Sequence, residues 1–476
     1  MAETRIERDS MGEMSVPAFA LYGASTQRAV LNFPVSGYRF TRRFIRALGL
    51  IKYAAAMANE SLGRLDPKLA GPIKKAAREV IDGKHDDQFV VDIFQTGSGT
   101  STNMNANEVI ANRACELAGF ERGSKKIHPN DHVNVGQSSN DVMPSAAHVA
   151  IVEGLHSELM PNLHRLHQAL EAKAREFDDI VKIGRTHLMD ATPIRLGQEF
   201  HGFAGQIAHA DRRLMNCVIK LRELDIGGTA VGTGINTHPH FARRVCEVLN
   251  HETRESFHET PNHFEAHSSN DGVVEAAAVL KTVAISLAKI ANDIRWMGSG
   301  PRCGLGELIL PATQPGSSIM PGKVNPVICE SLLQVCAHVV GADAAVTFAG
   351  GMMGNFDLHV GMPIMSHSLL ESVRILGNAV AMFTEKCVAG LKADRAACEG
   401  TIEQSLAMCT SLAPLIGYDA AAALAKHAHE TGKTVRQISL EDIKAGKLKL
   451  TEAQLAEALD ARSMTMPSDK VLPVSA

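Results

Sequence analysis

The sequence KTVAISLAKIANDIRWM, residues 281–297, carries the clearest structural pattern in the chain. Its large apolar residues recur at steps of four and three, so they lie along one face of a helix. This stripe consists of Val283, Leu287, Ile290, Ile294 and Met297. Because the spacing is heptad-like, the stripe needs a neighbouring helix to cover it. The stretch therefore predicts a long helix packed inside a helical bundle.

Similar helical patterns occur on both sides of this stretch. They occupy residues 41–62, 143–177, 193–224, 326–349 and 364–390. Several helices of this length are typical of a long bundle. We therefore predict a mainly α fold with three domains, which are an N-terminal mixed, mostly helical domain at 1–137, a central long-helix bundle domain at 138–393, and a small C-terminal helical domain at 394–476.

The composition is that of an ordinary soluble globular protein. The 476 residues are 45% hydrophobic and 21% charged, and the net charge of −4 arises from interspersed acidic and basic side chains. Because no basic block occurs, the sequence predicts no binding to nucleic acid or to an anionic membrane surface. The nine cysteines are scattered, which predicts reduced thiols and a cytoplasmic location. The sequence shows no run of eighteen apolar residues and no apolar N-terminal segment, so we predict neither a membrane span nor a secretory signal.

Four breaks between the helical patterns share hydroxyls, amides, glycines and a rare cation or imidazole. The first is a predicted loop at 96–107, TGSGTSTNMNAN, and the second is HPNDHVNVGQSSND at 128–141. The third is GRTHLMD at 184–190, and the fourth is QPGSSIMPGKVNPVICESL at 314–332. Each break also has an ordinary structural interpretation. Ser and Asn before a helix are good caps, and any one histidine among 21 is more often structural than catalytic.

Taken together, the four breaks favour a pocket for carboxylates. Glycine-rich turns and helix starts present backbone N–H groups to anions, and hydroxyls and amides add neutral donors. Lys323 adds the full positive charge that a dianionic substrate needs, and Glu330, one turn beyond the fourth break, is placed to orient an imidazole. No histidine or carboxylate pair has metal-ligand spacing, and GGTAVGTG at 227–234 lacks the strand–turn–helix setting of a dinucleotide fold. We therefore predict neither a metal site nor a dinucleotide-binding fold.

The motifs in these breaks resemble those of class II fumarases in the fumarase/aspartase superfamily. The resemblance rests on TGSGTSTNMNANEVIANR, HPNDHVN, QSSND, KIGRTHLMDATP, GGTAVGTGINTHP and GSSIMPGKVNP, and it extends from about Arg5 to residue 432. It implies a homotetramer of three-domain subunits with a twenty-helix core, in which three subunits share each active site. It also implies a small dicarboxylate substrate and the reversible anti addition of water to fumarate, which gives L-malate, without a metal or an organic cofactor.

The resemblance further implies roles for individual residues. Matching positions assign substrate binding to Ser98, Gly99, Thr100, Ser138, Ser139 and Asn140 in one subunit, to Thr186 in a second, and to Ser318, Lys323, Val324 and Asn325 in a third. They assign catalysis to Ser317 as the base, to His187 paired with Glu330 as the acid that handles water, and to Lys323 as the cation that stabilises an aci-carboxylate. A second, shallower dicarboxylate site is implied at His128, Pro129, Asn130 and Asp131.

Two other functions remain open from the sequence. Aspartate ammonia-lyases share SSIMP and KVNP, and TSTNMNAN at 100–107 resembles their sequence. Against this, that sister group typically has glutamine at the position of His187 and alanine at that of Gly322. The second alternative is a catalytically silent structural protein, as in related lens crystallins, although this chain retains every motif residue named above.

Overall fold

The computed structural model describes residues 3–468, and helices make up most of it. The α-helices, α1 to α17 in chain order, are Ala24–Asn32, Arg42–Ser61, Pro67–Ile81, Thr100–Leu117, Ser139–Gly154, Met160–Glu176, Leu196–Leu221, Phe241–Thr253, His263–Ser268, Asp271–Met297, Val327–Met352, Met362–Lys386, Arg395–Gly400, Ala413–Ile416, Tyr418–Thr431, Val435–Lys444 and Glu452–Ala458. The predicted mainly α fold is confirmed.

Short strands pair into five two-stranded sheets in the described residues, four of them antiparallel and one parallel. The strands, β1 to β10, are Thr4–Asp9, Gly12–Pro17, Val181–Thr186, Met189–Arg195, Glu223–Leu224, His258–Glu259, Leu308–Ile309, Gly354–Asn355, Leu358–His359 and Lys392–Ala393. The sequence did not predict them because most have two residues, which is too short for an alternating pattern. The hairpin of β3 and β4 occupies the third break.

Helix α10 confirms the pattern that predicted the bundle. It runs from Asp271 to Met297, and all five residues of its apolar stripe are buried. Helices α7, α11 and α12 have 26, 26 and 25 residues and cover three of the other long patterns. Helices α5 and α6 cover the pattern predicted at 143–177.

The chain forms two compact units, each assembled from three separate segments. The first combines the chain up to Asn162 with Ala210–Ile285 and Val335–Asn378. The second combines Leu163–His209 and Ser286–Gln334 with the chain from Ala379 onward. The predicted division into three consecutive domains stays a prediction, and the termini of its outer domains, residues 1–2 and 469–476, lie outside the described residues.

The core of the first unit is built around α2, which packs against α3, α5 and α8. The apolar face predicted for this helix, Phe44, Leu48, Ile51 and Ala55, is buried. The buried positions continue around the helix and include one charged residue, Lys52. A lysine on the inner face of a core helix is exceptional, because burying an ammonium removes its hydration.

The second unit has its own hydrophobic cluster, formed largely by its short C-terminal helices. The cluster includes Leu412, Leu424, Ile438 and Leu455, and Ile183 of β3 belongs to it. The polar turns between these helices carry side-chain caps. Thr434 and Thr451, for example, each begin a helix with a reciprocal capping box.

The prediction of a loop over 96–107 is wrong for most of that range, because α4 begins at Thr100. Gly99 supplies the turn into the helix with φ of 69°, which a side chain would disfavour. The asparagines suggested a loop, but they are buried hydrogen-bonding residues of the helix. Asn105 Nδ2 donates to the Gln88 carbonyl at 2.9 Å, and its Oδ1 accepts from the N–H of Val90 at 3.0 Å.

Helix α11 is long and apolar enough to cross a membrane by length and composition alone, with a mean hydropathy of 1.5 in its most apolar window. Only 33% of that window is buried within the chain. Its sequence is interrupted by polar residues, including Glu330 and Asp343, so the predicted absence of an uninterrupted apolar run holds for it.

Candidate active site

In the first unit, a cavity of about 650 Å³ is lined by parts of the first and second breaks. Its polar lining includes Thr100, Asn103, Asn134, Gln137, Ser138 and Ser139. Neutral hydroxyls and amides therefore dominate this part of the wall. Such groups orient a carboxylate by hydrogen bonds but do not neutralise its charge.

A chain of hydrogen-bonded hydroxyls joins the first break to the second. Thr100 Oγ1 lies 2.8 Å from Ser98 Oγ and 2.7 Å from Ser139 Oγ. Ser139 Oγ donates to Asn140 Oδ1 at 3.3 Å, and Asn140 Nδ2 donates to the Ala230 carbonyl at 2.8 Å. Four side chains that the sequence assigns to substrate binding are thus linked within one unit.

At the N-terminus of α5, Ser138 both caps the helix and lines the cavity. Ser138 Oγ accepts from the N–H of Asn140 at 3.2 Å, and Asp141 Oδ1 accepts from the N–H of Ser138 at 2.9 Å. Asp141 is buried, and its Oδ2 accepts from the N–H groups of Gly227 and Thr229 at 3.0 and 3.1 Å. Burial raises the pKa of Asp141 to about 7. Asp141 therefore fixes the loop of the GGTAVGTG motif against the serine-rich helix start.

Two histidines support the same loop from the other side. His267 lies 2.7 Å from Asp225 Oδ2 through Nδ1, and its Nε2 lies 3.0 Å from the Thr229 carbonyl. His263 Nδ1 lies 3.0 Å from Asp225 Oδ1, and its Nε2 lies 3.2 Å from Glu259 Oε1. Burial acts to lower the pKa of His263, but the hydrogen bonds to Asp225 and Glu259 outweigh it and raise this pKa to about 9.

This raised pKa predicts a pH-dependent loss of stability in the variant His263→Gln. The pKa of His263 in the folded protein lies above the unfolded value near 6.5. Its stabilising contribution is therefore fully present below pH 6.5 and is lost as the pH rises through about 9. We expect His263→Gln to lower the free energy of unfolding at pH 6 by about 1 kcal/mol, a value reduced for solvent screening. The difference should shrink towards pH 10, and urea denaturation at both pH values measures it. A difference that stays constant with pH would contradict the prediction.

The predicted second site lies beside the first in the same unit. Pro129 begins a π-helical turn, and His128 Nδ1 accepts from the N–H groups of Asn130 and Asp131 at 3.3 and 3.2 Å. His128 Nδ1 also lies 3.3 Å from Asp131 Oδ2. Asn130 and Asp131 line the cavity that Ser138 lines, so both predicted sites open into one space.

In the second unit, Thr186 and His187 lie at the exposed tip of the hairpin of β3 and β4. His187 and Leu188 both have positive φ, 56° and 64°, which is uncommon for residues with side chains. Positive φ at both central residues is the geometry of a two-residue hairpin turn, so the turn itself presents His187 at the tip.

A buried ion-pair network holds the base of this hairpin. Lys182 Nζ lies 3.0 Å from Glu199 Oε1 and 3.2 Å from Glu307 Oε2. Glu307 also accepts from Arg185 Nη1 at 2.7 Å. The side chains of Lys182 and Glu307 are 2% and 1% exposed. The network joins β3 to Glu199 of α7 and to Glu307, and it therefore fixes the direction in which the hairpin leaves the core. Removing one member would leave a buried charge unpaired.

The fourth break begins with the serine loop, residues 314–326, which is closed by its own hydrogen bonds. The N–H of Gly316 donates to the Lys323 carbonyl at 3.0 Å, and Asn325 Nδ2 donates to the Gly316 carbonyl at 2.7 Å. A Cβ on Gly316 would lie 2.3 Å from the Lys323 carbonyl oxygen, so only glycine fits this closure. Lys323 and Val324 are exposed, and α11 begins two residues after Asn325.

Within this loop, Ser317 differs from its neighbour Ser318. Ser317 Oγ accepts from the N–H groups of Met320 and Ile319 at 2.9 and 3.3 Å. Such donors stabilise negative charge on an oxygen. The Ser318 hydroxyl accepts no hydrogen bond from the part of the chain that the structure describes.

The second unit does not join His187 to Glu330 in a single chain. Among the residues that the structure describes, no hydrogen bond or ion pair links them. His187 is exposed at the hairpin tip, and Glu330 is half-buried in the first turn of α11. The resemblance assigns the hairpin and the serine loop to different subunits, so the pairing stays a prediction.

Residues 3–468 contain no group of three or more His, Cys, Asp or Glu side chains placed to hold a metal ion.

Sequence reasoning missed the buried charges that support these loops. Asp141, Asp225, His267, Lys182 and Glu307 are all buried, yet none was predicted as a site residue. A signal was available for Lys182, which stands between Val181 and Ile183 in a buried strand. Asp141, by contrast, reads as an ordinary capping residue, and only the fold brings Gly227 and Thr229 to it.

Comparison with known proteins places this geometry in a family. Residues 12–341 match a family model described as Lyase, and residues 408–466 match one described as Fumarase C C-terminus. Over 461 residues the chain is 54% identical to a fumarate hydratase class II from Halobacterium salinarum, and the alignment covers 97% of each chain. The chain belongs to the class II fumarase family.

Two further relatives support the assignment over nearly the whole length. A mitochondrial fumarate hydratase from Saccharomyces cerevisiae is 50% identical over 439 residues, covering 92% of this chain and 90% of that one. The crystal structure of a class II fumarase from Schistosoma mansoni matches with a TM-score of 0.95 at 37% identity, covering 98% of this chain and all of that chain. The fumarase/aspartase-like fold of the subunit is confirmed, and every predicted site residue lies inside the region 12–341.

Proposed function

We propose that this chain catalyses the reversible hydration of fumarate to L-malate, as a hydro-lyase of the tricarboxylic acid cycle. The observation that carries the proposal is the hydroxyl chain of Ser98, Thr100 and Ser139 beside a cavity of neutral donors, in a chain 54% identical to a fumarate hydratase. His187 and Gly322 favour water over ammonia as the added group, because the ammonia-lyase pattern has other residues there.

When the reaction starts from L-malate, the first step breaks the C–H bond at the carbon beside one carboxylate. Ser317 Oγ takes the proton, and the electron pair moves into that carboxylate, which becomes an aci-carboxylate with added negative charge. The two N–H groups at 2.9 and 3.3 Å from Ser317 Oγ support this role, since they stabilise the alkoxide form of a weak base. Lys323 and Asn325 stabilise the new charge on the carboxylate oxygens.

The second step breaks the bond between the neighbouring carbon and its hydroxyl oxygen. His187, through a water molecule, donates a proton to the departing hydroxyl, and the aci-carboxylate electrons form the double bond of fumarate. Glu330 of another subunit orients His187, and Thr186 binds the substrate beside it. Ser318 and Val324 contribute contacts from the same loop as Lys323. No metal or organic cofactor enters this scheme.

We further propose that four copies assemble and that three of them complete each site. The exposed apolar surface of the long helices supports this, because such surface needs a partner. Phe348 of α11 is 64% exposed and Ile285 of α10 is 56% exposed, and only a third of the most apolar window of α11 is buried within the chain. The three consecutive domains at 1–137, 138–393 and 394–476 belong to this proposal. Sedimentation velocity tests the number of copies. Mixing an inactive Ser317 variant with an inactive His187 variant tests the shared site, because a site built from different subunits should regain activity in the mixture.

Two finer proposals concern a second site and a location. His128, Pro129, Asn130 and Asp131 form a shallower dicarboxylate site beside the main one. The chain acts in the cytoplasm, which its nine free cysteines support. The yeast relative is named as mitochondrial, so cell fractionation is the appropriate test of location.

The function is tested by following the ultraviolet absorbance of fumarate with two substrates. We expect fumarate to form from L-malate and not from L-aspartate. Formation from L-aspartate alone would establish an ammonia-lyase. Binding of a dicarboxylate without turnover of either substrate would favour the catalytically silent alternative.

The variant His187→Asn tests the proposed acid. We expect kcat for malate dehydration to fall by about 10² to 10³, since a positioned acid contributes that much to expelling hydroxide. His201→Asn is a matched control, because His201 is an exposed histidine of the same unit with its side chain 75% exposed. Steady-state kinetics of both variants measure the effect. Unchanged turnover in His187→Asn would reassign the acid.

A further inference from the structure

Lys52 is a fully buried lysine directly behind the cavity of the first unit. Its Nζ donates to Asn134 Oδ1 at 2.8 Å and to Gln137 Oε1 at 3.0 Å. Asn134 and Gln137 both line the cavity, whereas Lys52 does not reach its surface. The ammonium is therefore separated from the cavity by a single layer of amide side chains.

The same lysine organises the turn that leads into the serine-rich helix start. Asn134 Nδ2 donates to the Gln137 carbonyl at 3.1 Å, and Gln137 Nε2 donates to the Val133 carbonyl at 3.1 Å. Both amide groups thus direct their oxygens to Lys52 and their nitrogens to the turn. Ser138, which caps α5 and lines the cavity, follows this turn directly.

The charge of Lys52 lacks a counter-ion. Among residues 3–468, no carboxylate lies within ion-pair distance of its Nζ. Burial lowers the pKa of Lys52 to about 7, and the charge of buried Asp141 opposes this shift. A buried ammonium satisfied only by neutral amides is costly in a folded protein, unless an anion compensates for it.

We propose that Lys52 is a positioning residue that supplies the first unit's own positive charge to the substrate. This inference rests on the proposed function, which places one carboxylate of a dianion at the hydroxyls of that cavity. Lys52 fixes the turn of Asn134 and Gln137 and attracts this carboxylate through them. The dianion then lies between two cations from different subunits, Lys52 at its unreactive carboxylate and Lys323 at the reacting one.

This arrangement predicts which kinetic constant Lys52 affects. The charge on the unreactive carboxylate is the same in the ground state and in the transition state. Lys52 therefore contributes uniform binding, which changes KM and leaves kcat nearly unchanged. A residue with a merely structural role would lower kcat, or would change both constants together.

The test compares Lys52→Met with Lys52→Gln, and it uses succinate, a dicarboxylate without a reactive double bond or hydroxyl, as the binding probe. Lys52→Met removes both the donors and the charge, whereas Lys52→Gln keeps two N–H donors and removes only the charge. We expect both variants to weaken succinate binding by about tenfold in calorimetry, as expected for losing one nearby charge in a partly screened site. We expect KM for L-malate to rise by a similar factor, with kcat within about twofold of wild type. Lys173→Met is the control, because Lys173 is a buried lysine of the second unit that pairs with Glu176.

Two outcomes would overturn the proposal. Wild-type succinate affinity in Lys52→Gln would show that only the hydrogen bonds matter, and it would overturn the charge role. A fall in kcat with unchanged KM would also overturn it. If Lys52→Met does not fold, Lys52→Gln decides alone. If wild-type protein turns over neither fumarate nor malate, the proposed function fails, but the succinate comparison still tests Lys52.

Discussion

Ser317→Ala is expected to lower kcat for malate dehydration by about 10³ or more, since it removes the proposed base for the carbon-bound proton. The geometry singles out this hydroxyl because Ser317 Oγ accepts from the N–H groups of Met320 and Ile319. These donors stabilise an alkoxide and lower the cost of using serine as a base. The loop should keep its shape in the variant, because its closure depends on Gly316, Lys323 and Asn325.

Deuterium exchange separates this role from a general effect on the loop. In deuterated water, wild-type enzyme should exchange the abstracted hydrogen of L-malate, and Ser317→Ala should lose that exchange together with turnover. Ser318→Ala is the matched control, because the neighbouring hydroxyl lacks the two N–H donors. We expect it to lose no more than about tenfold in kcat/KM, as for one substrate hydrogen bond. Near-normal exchange in Ser317→Ala would remove Ser317 as the base.

The long helices were predictable because their signal is local and repeated. In α10, Val283, Leu287 and Ile290 show the period of the helix in the sequence itself, and each is buried as expected. The start of α4 was not predictable in the same way. Its asparagines have the composition of a loop, and only their tertiary partners make them helical, as Asn105 shows with Gln88 and Val90.

The candidate site shows the same contrast between residues with a local sequence signal and residues without one. Residues with a motif, such as Ser139 and Ser317, could be predicted as site residues from the sequence, and their roles stay predictions. Residues that support the cavity lining without reaching the cavity carry no such motif. Lys52 was overlooked within an apolar helix, although a lysine three residues before Ala55 and four after Leu48 shares their face. The proposed completion of the site by several subunits has no local pattern in the sequence, since it would depend on which surfaces meet.

Lys323→Met is expected to lower kcat by about 10² to 10³, because it removes the cation that we propose to face the charge developing in the transition state. Lys323 is exposed at the end of the serine loop, so the substitution leaves no buried group unpaired and should not affect folding. Lys392→Met is the matched control, because Lys392 is an exposed lysine of the same unit.

The kinetic constant that changes distinguishes the two proposed cations. The charge opposite Lys323 grows during the reaction, so its removal should lower kcat and kcat/KM together and raise KM only slightly. The charge opposite Lys52 is constant, so its removal should appear in KM. Measuring both constants for Lys323→Met, Lys52→Gln and the double variant tests this assignment, because independent sites should have additive effects on kcat/KM. A loss confined to KM in Lys323→Met would mean that Lys323 binds the unreactive carboxylate, and the assignment of the two ends of the substrate would have to be reversed.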